Sequence, residues 1–435
     1  MKHNSENTTN NKNNPYKENI TMNNNRNQNT SKLAQLDYQD LPEVALMKNA
    51  FPFCKSAKVG NLLYPVIAND NLMHFIAFEE NLVAAARKVK LNAVNPSGSE
   101  HGIVKKVCDM FIKHPSFGNI ICQDLMQGIY APEEIASDPV FKAKYKTFPR
   151  GFEYTVNQMV QTMIMDFVDV SLVGDCLMAF TWNETRNPGV SAMIDDVNQI
   201  LAKAPKYWVS FSLKSFLENI PHERLAQKIR IMFQDNHVAD LVCKLIGLNE
   251  PATDGHDQTK HVGIPEDSPL ASLLAYDLYL PELDQEIRRH GFTHVRYNDE
   301  FVVFCKTYAD AEQIRGTLVD YAKNVMNCPV DHNRTRIKDI GHLAFLGLRL
   351  QGGKWRIQYN VKTQATRDYV GAAIAHTDFS DNSQLWNAYW KLTGFINFYE
   401  GVYDLENEIK NLKKWRDEIF TDAIAQAERI KLGLE

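Results

Sequence analysis

Apolar residues recur at helical spacing through the front of the chain. Between Phe78 and Val89 they share a face with few breakers between them, which predicts a helix. The run Asn95-Pro96-Ser97-Gly98-Ser99 has the chemistry of a loop. Helical spacing returns from Val104 to Phe111 and, as a longer apolar run, from Val156 to Val173. Pro188-Gly189 marks a turn ahead of a helix over Ser191–Leu201. The period then changes. Tyr207 to Leu213 alternates and is rich in aromatic and branched side chains, as a half-buried strand should be. Pro221 opens a helix, residues 250–260 form a polar loop, and Ser268–Leu280 reads as helical. A strand ending at Arg296, a tight turn over Tyr297-Asn298-Asp299-Glu300 and a strand over Phe301–Cys305 together predict a hairpin. A helix over Ala309–Asn324 and a strand candidate over Leu343–Leu350 follow. From about Asn382 the pattern is helical again, with Trp386, Trp390, Phe395, Phe398 and Tyr399 on recurring faces, which reads as packed core rather than a platform for stacking bases. No internal repeat is present. A helical front, a mixed middle and a helical end make the fold class α+β rather than an alternating parallel sheet.

Residues 1–31 break this pattern. Asparagine dominates, as in Asn23-Asn24-Asn25, and almost nothing apolar recurs, so the segment is expected to be a disordered leader. The remainder has material for a sizeable core. The 435 residues are 44% hydrophobic and 23% charged, which excludes a disordered, collagen-like or disulfide-scaffold protein. No stretch approaches the roughly 20 apolar residues of a membrane span, and no signal-peptide pattern opens the chain. The 7 cysteines include no CxxC pair and fit a reducing compartment, so a cytoplasmic protein without a membrane role is expected. Net charge is −5, so no basic excess marks the whole surface for phosphate binding, although one groove can still be basic.

The predicted hairpin carries chemistry at its tip. Two-metal phosphoryl or nucleotidyl transfer needs oxygen ligands held rigidly around ions about 3.5–4 Å apart. A tight turn presents Asp299 and Glu300 side by side from a stiff scaffold, and a carboxylate from a neighbouring strand would complete the set. Asn-Asp is also ordinary turn chemistry, so the tetrapeptide alone does not decide between the two.

The segment Arg296-Tyr297-Asn298-Asp299-Glu300-Phe301-Val302-Val303-Phe304 resembles the RYADDFVVF segment of group II intron-like reverse transcriptases. The resemblance continues in order along the chain. Phe78–Asn92 is similar to the front helix of that family, and Leu125–Pro132 (LMQGIYAP) to its LLSGTYRP segment. Phe211–Ile220 (FSLKSFLENI) with Pro221-His222 resembles the LDIKGFFDNI block, and Gly263–Leu280 (GIPEDSPLASLLAYDLYL) resembles GxPQGSPLSPLLANIYL. Asn333–Ile337 is similar to xKTRI, Phe345–Arg349 to FLGFRI, and Leu392–Tyr399 to the thumb segment LRGWxNYF. The resemblance implies a right-hand polymerase fold. Its expected divisions are residues 32–205 for an N-terminal extension and fingers, 206–355 for the palm with part of the fingers, and 356–435 for a helical thumb.

The sequence departs from that pattern where the chemistry sits. The strand aspartate that ligates both metals in the family falls on Ser212, and a neutral hydroxyl is a poor magnesium ligand beside carboxylate. The paired turn aspartates become Asp299 and Glu300. Glu266 and Asp267 put negative charge where the family has a neutral amide and a glycine beside template and nucleotide. Lys146 and Arg150 are what is left of the fingers element that faces the triphosphate, and Arg334 replaces a late lysine. The resemblance therefore implies catalytic and metal positions at Asp299 and Glu300, with Mg2+ if the protein is active and no cofactor otherwise. Lys146, Arg150, Glu266, Asp267 and Arg334 are the implied nucleotide- or template-binding positions. A degenerate site points to a pseudo-polymerase, a structural or regulatory subunit in a prokaryotic antiviral defence complex. Such a subunit would be oligomeric and partnered by an active reverse transcriptase or other effector, a non-coding RNA, or both. Two alternatives stay open: an active but unorthodox RNA-directed or template-independent DNA polymerase, with Glu218 or Glu266 compensating, and an RNA-binding maturase-like module. Other features invite less. His256 and His261 sit in a polar loop and read as solvated, Asp254 and Asp257 beside them read equally as a chance acidic cluster or a metal site, and Cys305 reads as core.

Overall fold

Hydrogen bonding within a computed structural model turns this pattern into defined elements over residues 54–59, 62–92, 99–132, 151–172, 181–182, 190–248, 261–266, 268–375 and 383–431. The described residues belong to a unit spanning Phe53–Glu435. The expected leader, residues 1–31, lies outside them, as do Lys146, Arg150, Asp254, His256, Asp257 and Asp267.

In chain order the elements are β1 (Cys54–Val59), β2 (Leu62–Ile67), α1 (Met73–Ile76), α2 (Glu79–Asn92), α3 (Ser99–Lys113), α4 (Gly118–Gln127), α5 (Phe152–Leu172), β3 (Thr181–Trp182) and α6 (Val190–Leu201). Next come β4 (Tyr207–Ser212), α7 (His222–Met232), α8 (Asn236–Leu245), α9 (Pro269–Leu273), a π-helical segment (Leu274–Tyr279), α10 (Pro281–Arg289), β5 (Thr293–Tyr297), β6 (Glu300–Cys305) and α11 (Tyr308–Asn324). The chain closes with β7 (Arg336–Asp339), β8 (Ala344–Phe345), β9 (Leu348–Gln351), β10 (Lys354–Ile357), α12 (Tyr359–Ala375), α13 (Ser383–Phe398) and α14 (Glu406–Lys431). The α+β class follows directly from this order.

Local chemistry sets several boundaries. Asp235 caps α8 by accepting the His237 and Val238 N–H groups and also accepts the Met73 N–H. Thr307 and Asp310 form a reciprocal capping box at the start of α11. Ser268 caps α9, with Pro269 in its first turn.

Five strands form the central sheet in the order β3-β5-β6-β4-β7. Alternation along β4 and β6 divides the core in two. Val209, Phe211, Leu213, Phe301, Val303 and Cys305 join one cluster with residues of α5, α7, α8 and α11. Trp208, Val295, Val302 and Phe304 face the other way. They join Val190, Met193, Ile194 and Val197 of α6 and Trp355, Tyr369, Leu392, Ile396 and Tyr399 from the C-terminal elements. Both faces are thus packed along the body of the sheet, and polar residues collect at the end where the β5–β6 hairpin turns.

Several elements differ from expectation. The β1–β2 hairpin and β7 carry no clear alternation, and β10 alternates over only four residues; β7 reads RIKD and is mostly exposed, with pairing to β4 rather than burial defining it. The strand expected over Leu343–Leu350 divides into β8 and β9. Leu346 and Gly347, at φ 53° and 72°, turn the chain between them. A Cβ on Gly347 would stand 2.5 Å from the Tyr399 hydroxyl, which donates to the Leu346 carbonyl. Pro221 stands just before α7, as its N-cap residue. Trp386 and Trp390 are not core: they are 41% and 54% exposed, stacked on each other, and Trp386 also packs on Phe420 of α14. Their helical spacing put them on a shared face, but that face is outward.

Candidate active site

The sequence joins β5 to β6 with a two-residue turn, Asn298-Asp299, with Tyr297 directly opposite Glu300. Asn298 adopts φ 50°, a left-handed conformation that asparagine tolerates better than most side chains. One strand across, Glu300 is directly opposite Ser212. Residues opposite each other in an antiparallel pair share a face, so Glu300 and Ser212 come together at this end of the sheet, beside Asp299. On the far side of β4 the pairing with β7 ends at Ser210–Arg336, and a turn over residues 332–334 precedes it; the Ser212 N–H donates to the Thr335 hydroxyl and the Ser212 carbonyl accepts the Asp331 N–H, which places Ser212 at this turn. The Arg334 N–H donates to the backbone and side chain of Asp331, and its carbonyl accepts the Ser210 hydroxyl at 2.6 Å. Four expected positions, Asp299, Glu300, Ser212 and Arg334, are therefore neighbours.

A buried ion pair underlies the hairpin. Arg296 is fully buried, and its guanidinium grips Asp284 of α10 through Nε at 3.1 and 2.9 Å and through a terminal nitrogen at 2.8 Å. Asp284 also bonds His294 at 2.8 Å. Nη1 donates to the Asn298 carbonyl at 2.8 Å, inside the turn, and Nη2, the terminal nitrogen beside Asp284, also donates to the Tyr276 carbonyl at 3.1 Å. Tyr276 lies in the π-helical segment, where the Leu280 N–H bonds back five residues to Ala275 and leaves the Tyr276 carbonyl for Arg296. Neither Asp284 nor Arg296 stood out as a positioning residue from sequence. The one signal was a charged side chain on an apolar face: Arg296 pairs with Phe301 and His294 with Val303, both of which point into the core.

Electrostatics separate the carboxyl groups. Burial pushes the Asp299 carboxyl above its ordinary range, against a backbone hydrogen bond and the charges of Arg334 and Arg296. Burial also raises Glu300; Arg334 opposes the rise and the neighbouring Asp299 adds to it. For Asp284 burial is outweighed, chiefly by the Arg296 charge and then by the hydrogen bond from His294, and its carboxyl is held low.

Ser212 is buried, and its hydroxyl donates to the Leu213 carbonyl at 3.3 Å. Asp331, the next carboxylate along this edge, already accepts the N–H groups of Asn333 and Arg334. Among the described residues no three His, Cys, Asp or Glu side chains are grouped to hold a metal ion. Two carboxylates and a neutral alcohol supply fewer anionic oxygens than a pair of magnesium ions takes. Among the described residues, the donors at the hairpin do not fit a two-metal centre.

The Gly263–Leu280 block is tied into the chain by hydrogen bonds. Gly263 and Ile264 donate N–H groups to Ile220 and Leu217, and the His222 ring meets the Gly263 carbonyl at 2.6 Å. Gly263 has φ 96°, and a Cβ there would lie 2.9 Å from the Glu218 carbonyl. Ser268 is buried and donates to Gln161 of α5 at 2.5 Å, so the serine of this block locks a helix start. Glu266 is exposed; neither it nor Glu218 joins the hairpin carboxylates in a metal-holding group. His261 is exposed, and Cys305 is a buried core thiol pushed up to about 12 by burial.

Two other features stand apart. Glu282 binds both Lys228 and Arg224, the latter at 2.6 Å, and burial lowers Lys228 to about 8. A cavity of about 420 Å³ opens between α12 and α13 over Ala365, Asp368, Tyr369, Lys391 and Leu392. No helix among the described residues is long and apolar enough to cross a membrane.

No family model and no curated protein sequence matches the chain. Among solved structures, the apo telomerase from Candida tropicalis is similar at 13% identity and a TM-score of 0.41, covering 67% of this chain and 56% of that one. The telomerase from Candida albicans in complex with a TWJ fragment of telomeric RNA is similar at 12% identity and a TM-score of 0.35, over 68% of this chain and 54% of that one. A partial Cas6-RT-Cas1–Cas2 complex is similar at 14% identity and a TM-score of 0.31, over 62% of this chain and 46% of that one. The chain thus spans about half the length of the structures it matches. At these scores the likeness assigns neither fold nor function, and the chain's own residues have to carry the functional reading.

Proposed function

We propose that this chain is a reverse transcriptase-like protein whose polymerase centre has been given up, a pseudo-polymerase that works as a structural or regulatory subunit. One observation carries the reading: Ser212 lies directly opposite Glu300, buried and bonded to a backbone carbonyl, at the position where the resembled family has its central metal carboxylate. Two-metal catalysis assigns several kcal/mol to such a group, and about 1.4 kcal/mol is tenfold in rate. The buried frame around the hairpin is intact while its donor set is incomplete, which fits a scaffold kept for assembly. The alternative of an unorthodox polymerase needs Glu218 or Glu266 to join Asp299 and Glu300, and no such group forms among the described residues. The maturase-like alternative has no specific observation in its favour.

The motif order, and nothing beyond it, points to a prokaryotic antiviral complex with an active reverse transcriptase or other effector, a non-coding RNA, or both. The fingers, palm and thumb divisions are part of the same proposal. The test is affinity purification of the wild-type chain and of Asp299→Ala from cells that make it, with proteins and RNA identified. The same partners should be retained by both. A wild-type chain that purifies alone would contradict a subunit role, and bound RNA without protein, released by salt, would favour the maturase-like module.

A further inference from the structure

β8, β9 and β10 form a three-stranded sheet with one apolar and one charged face. Leu348, Trp355 and Ile357 are buried in the core cluster of the C-terminal elements. The alternate positions Arg349, Gln351, Lys354 and Arg356 therefore share the outer face, where all four are exposed. The register sets Arg349 directly opposite Arg356 and Gln351 opposite Lys354. Like charges directly opposite in an antiparallel pair are destabilising. The hairpin does not need them. Gly352 and Gly353, at φ 56° and 76°, form its two-residue turn, and the buried residues fix which face turns inward. Nor is the charge answered within the described chain. Among the described residues Arg349, Lys354 and Arg356 have no ion pair and no side-chain hydrogen bond. Asp404, beside β10, directs its carboxylate to the Trp355 N–H at 2.8 Å.

Neighbouring guanidinium groups bind oxyanions, often in a bidentate fork. The choice lies between the phosphates of a nucleic acid and the carboxylates of a protein. Arg349, Lys354 and Arg356 neutralise at most three phosphates, which gives weak and salt-sensitive binding, and the net charge of −5 opposes a long polyanion. A protein partner needs only a few carboxylates here and finds other anchors. Tyr403, next to Asp404, and Tyr359, at the start of α12, are 88% and 82% exposed. Tyrosine and arginine are prominent among the side chains that dominate protein interfaces. We propose that the outer face of the β8–β10 sheet, centred on the Arg349–Arg356 pair, docks a carboxylate-bearing segment of a partner protein. This rests on the reading of the chain as a subunit and gives that reading a surface.

The test compares the full wild-type chain with Arg349→Glu/Arg356→Glu, which replaces one like-charge pair by another. Affinity purification from cells that make the chain should retain the protein partner on wild type and lose it on the double variant. Carbodiimide coupling of the wild-type complex, which joins an amine to a carboxylate without a spacer, should link Lys354 to an aspartate or glutamate of that partner. In fluorescence anisotropy, a glutamate–tyrosine copolymer should bind the double variant about tenfold or more weakly than wild type, and an oligothymidylate should lose less affinity than the copolymer. Arg356→Glu alone sets a carboxylate opposite Arg349, so it should weaken docking while its thermal midpoint is no lower than that of wild type. A lowered midpoint would mean that the arginines hold the hairpin together, and would overturn the inference. So would a partner complex without a Lys354 cross-link, or an oligothymidylate that loses more affinity than the copolymer, which would make the face a nucleic-acid surface. A wild-type chain that purifies alone would end the proposed function, whereas a partner retained by Arg349→Glu/Arg356→Glu would end this inference alone.

Discussion

Arg296→Met is the sharpest perturbation of the frame beneath the hairpin. Methionine keeps much of the apolar stem and removes the charge from a residue that is fully buried. Asp284, also almost fully buried, would keep His294 and lose the guanidinium, while the carbonyls of Asn298 and Tyr276 would lose a charged donor. Breaking one side of a buried pair costs about 3–5 kcal/mol, since it strands the other charge. The carbonyl losses overlap with this and are not added. Asp284→Leu should cost a similar amount, and Arg296→Met/Asp284→Leu should cost less than the two together, with a coupling of about 2 kcal/mol. The assay is urea unfolding followed by tryptophan fluorescence, with amide exchange at residues 297–300 as the local readout. Acid adds a second handle. The Asp284 carboxyl is held low, so its stabilisation is present above the ordinary carboxylate value and is lost as pH falls through the folded-state value. The acid limb of the wild-type stability curve should therefore flatten in the double variant. A single-variant loss below about 1 kcal/mol, or a coupling near zero, would refute the claim that this pair frames the turn.

Two further outcomes are expected from other parts of the molecule. Gly263→Ala places a Cβ 2.9 Å from a backbone carbonyl at φ 96°, and should destabilise by more than the roughly 1 kcal/mol of an ordinary glycine substitution; urea midpoints of this variant against Gly247→Ala, where a Cβ meets nothing, measure the excess. Lys228 is lowered from an ordinary 10.5 to about 8. In that window the unfolded chain holds the proton and the folded chain does not, so wild-type stability should rise with pH relative to Lys228→Met, by a few kcal/mol at most. A flat difference between the two pH curves would mean that the lysine stays charged beside Glu282.

How much of the molecule was legible in sequence depended on how far apart the cooperating residues lie. The hairpin announced itself through local chemistry, since alternation, Asn-Asp and a second alternating run are contiguous. The neighbourhood of Ser212, Glu300 and Arg334 was legible only through the resemblance, because no local signal specifies the register of strands so far apart in sequence. The Asp284–Arg296–Tyr276 frame escaped because each member looks ordinary in its own element: an acid in a helix, a base in a strand, a carbonyl that any residue carries. Trp386 and Trp390 misled for a related reason. Periodicity says which residues share a face, but not whether another element covers it. Of the expected nucleotide or template positions, Lys146, Arg150 and Asp267 lie outside the described residues.

The most direct measurement is deoxynucleotide incorporation by the purified chain on primed RNA, on primed DNA and without template, in Mg2+ and then in Mn2+, with Asp299→Ala beside it. With Ser212 opposite Glu300 and, among the described residues, no third carboxylate joined to the hairpin pair, the expected result is no incorporation above background by either protein under any of these conditions. Incorporation by wild type that disappears in Asp299→Ala would contradict it, and would mean that this hairpin performs polymerase chemistry without the central aspartate.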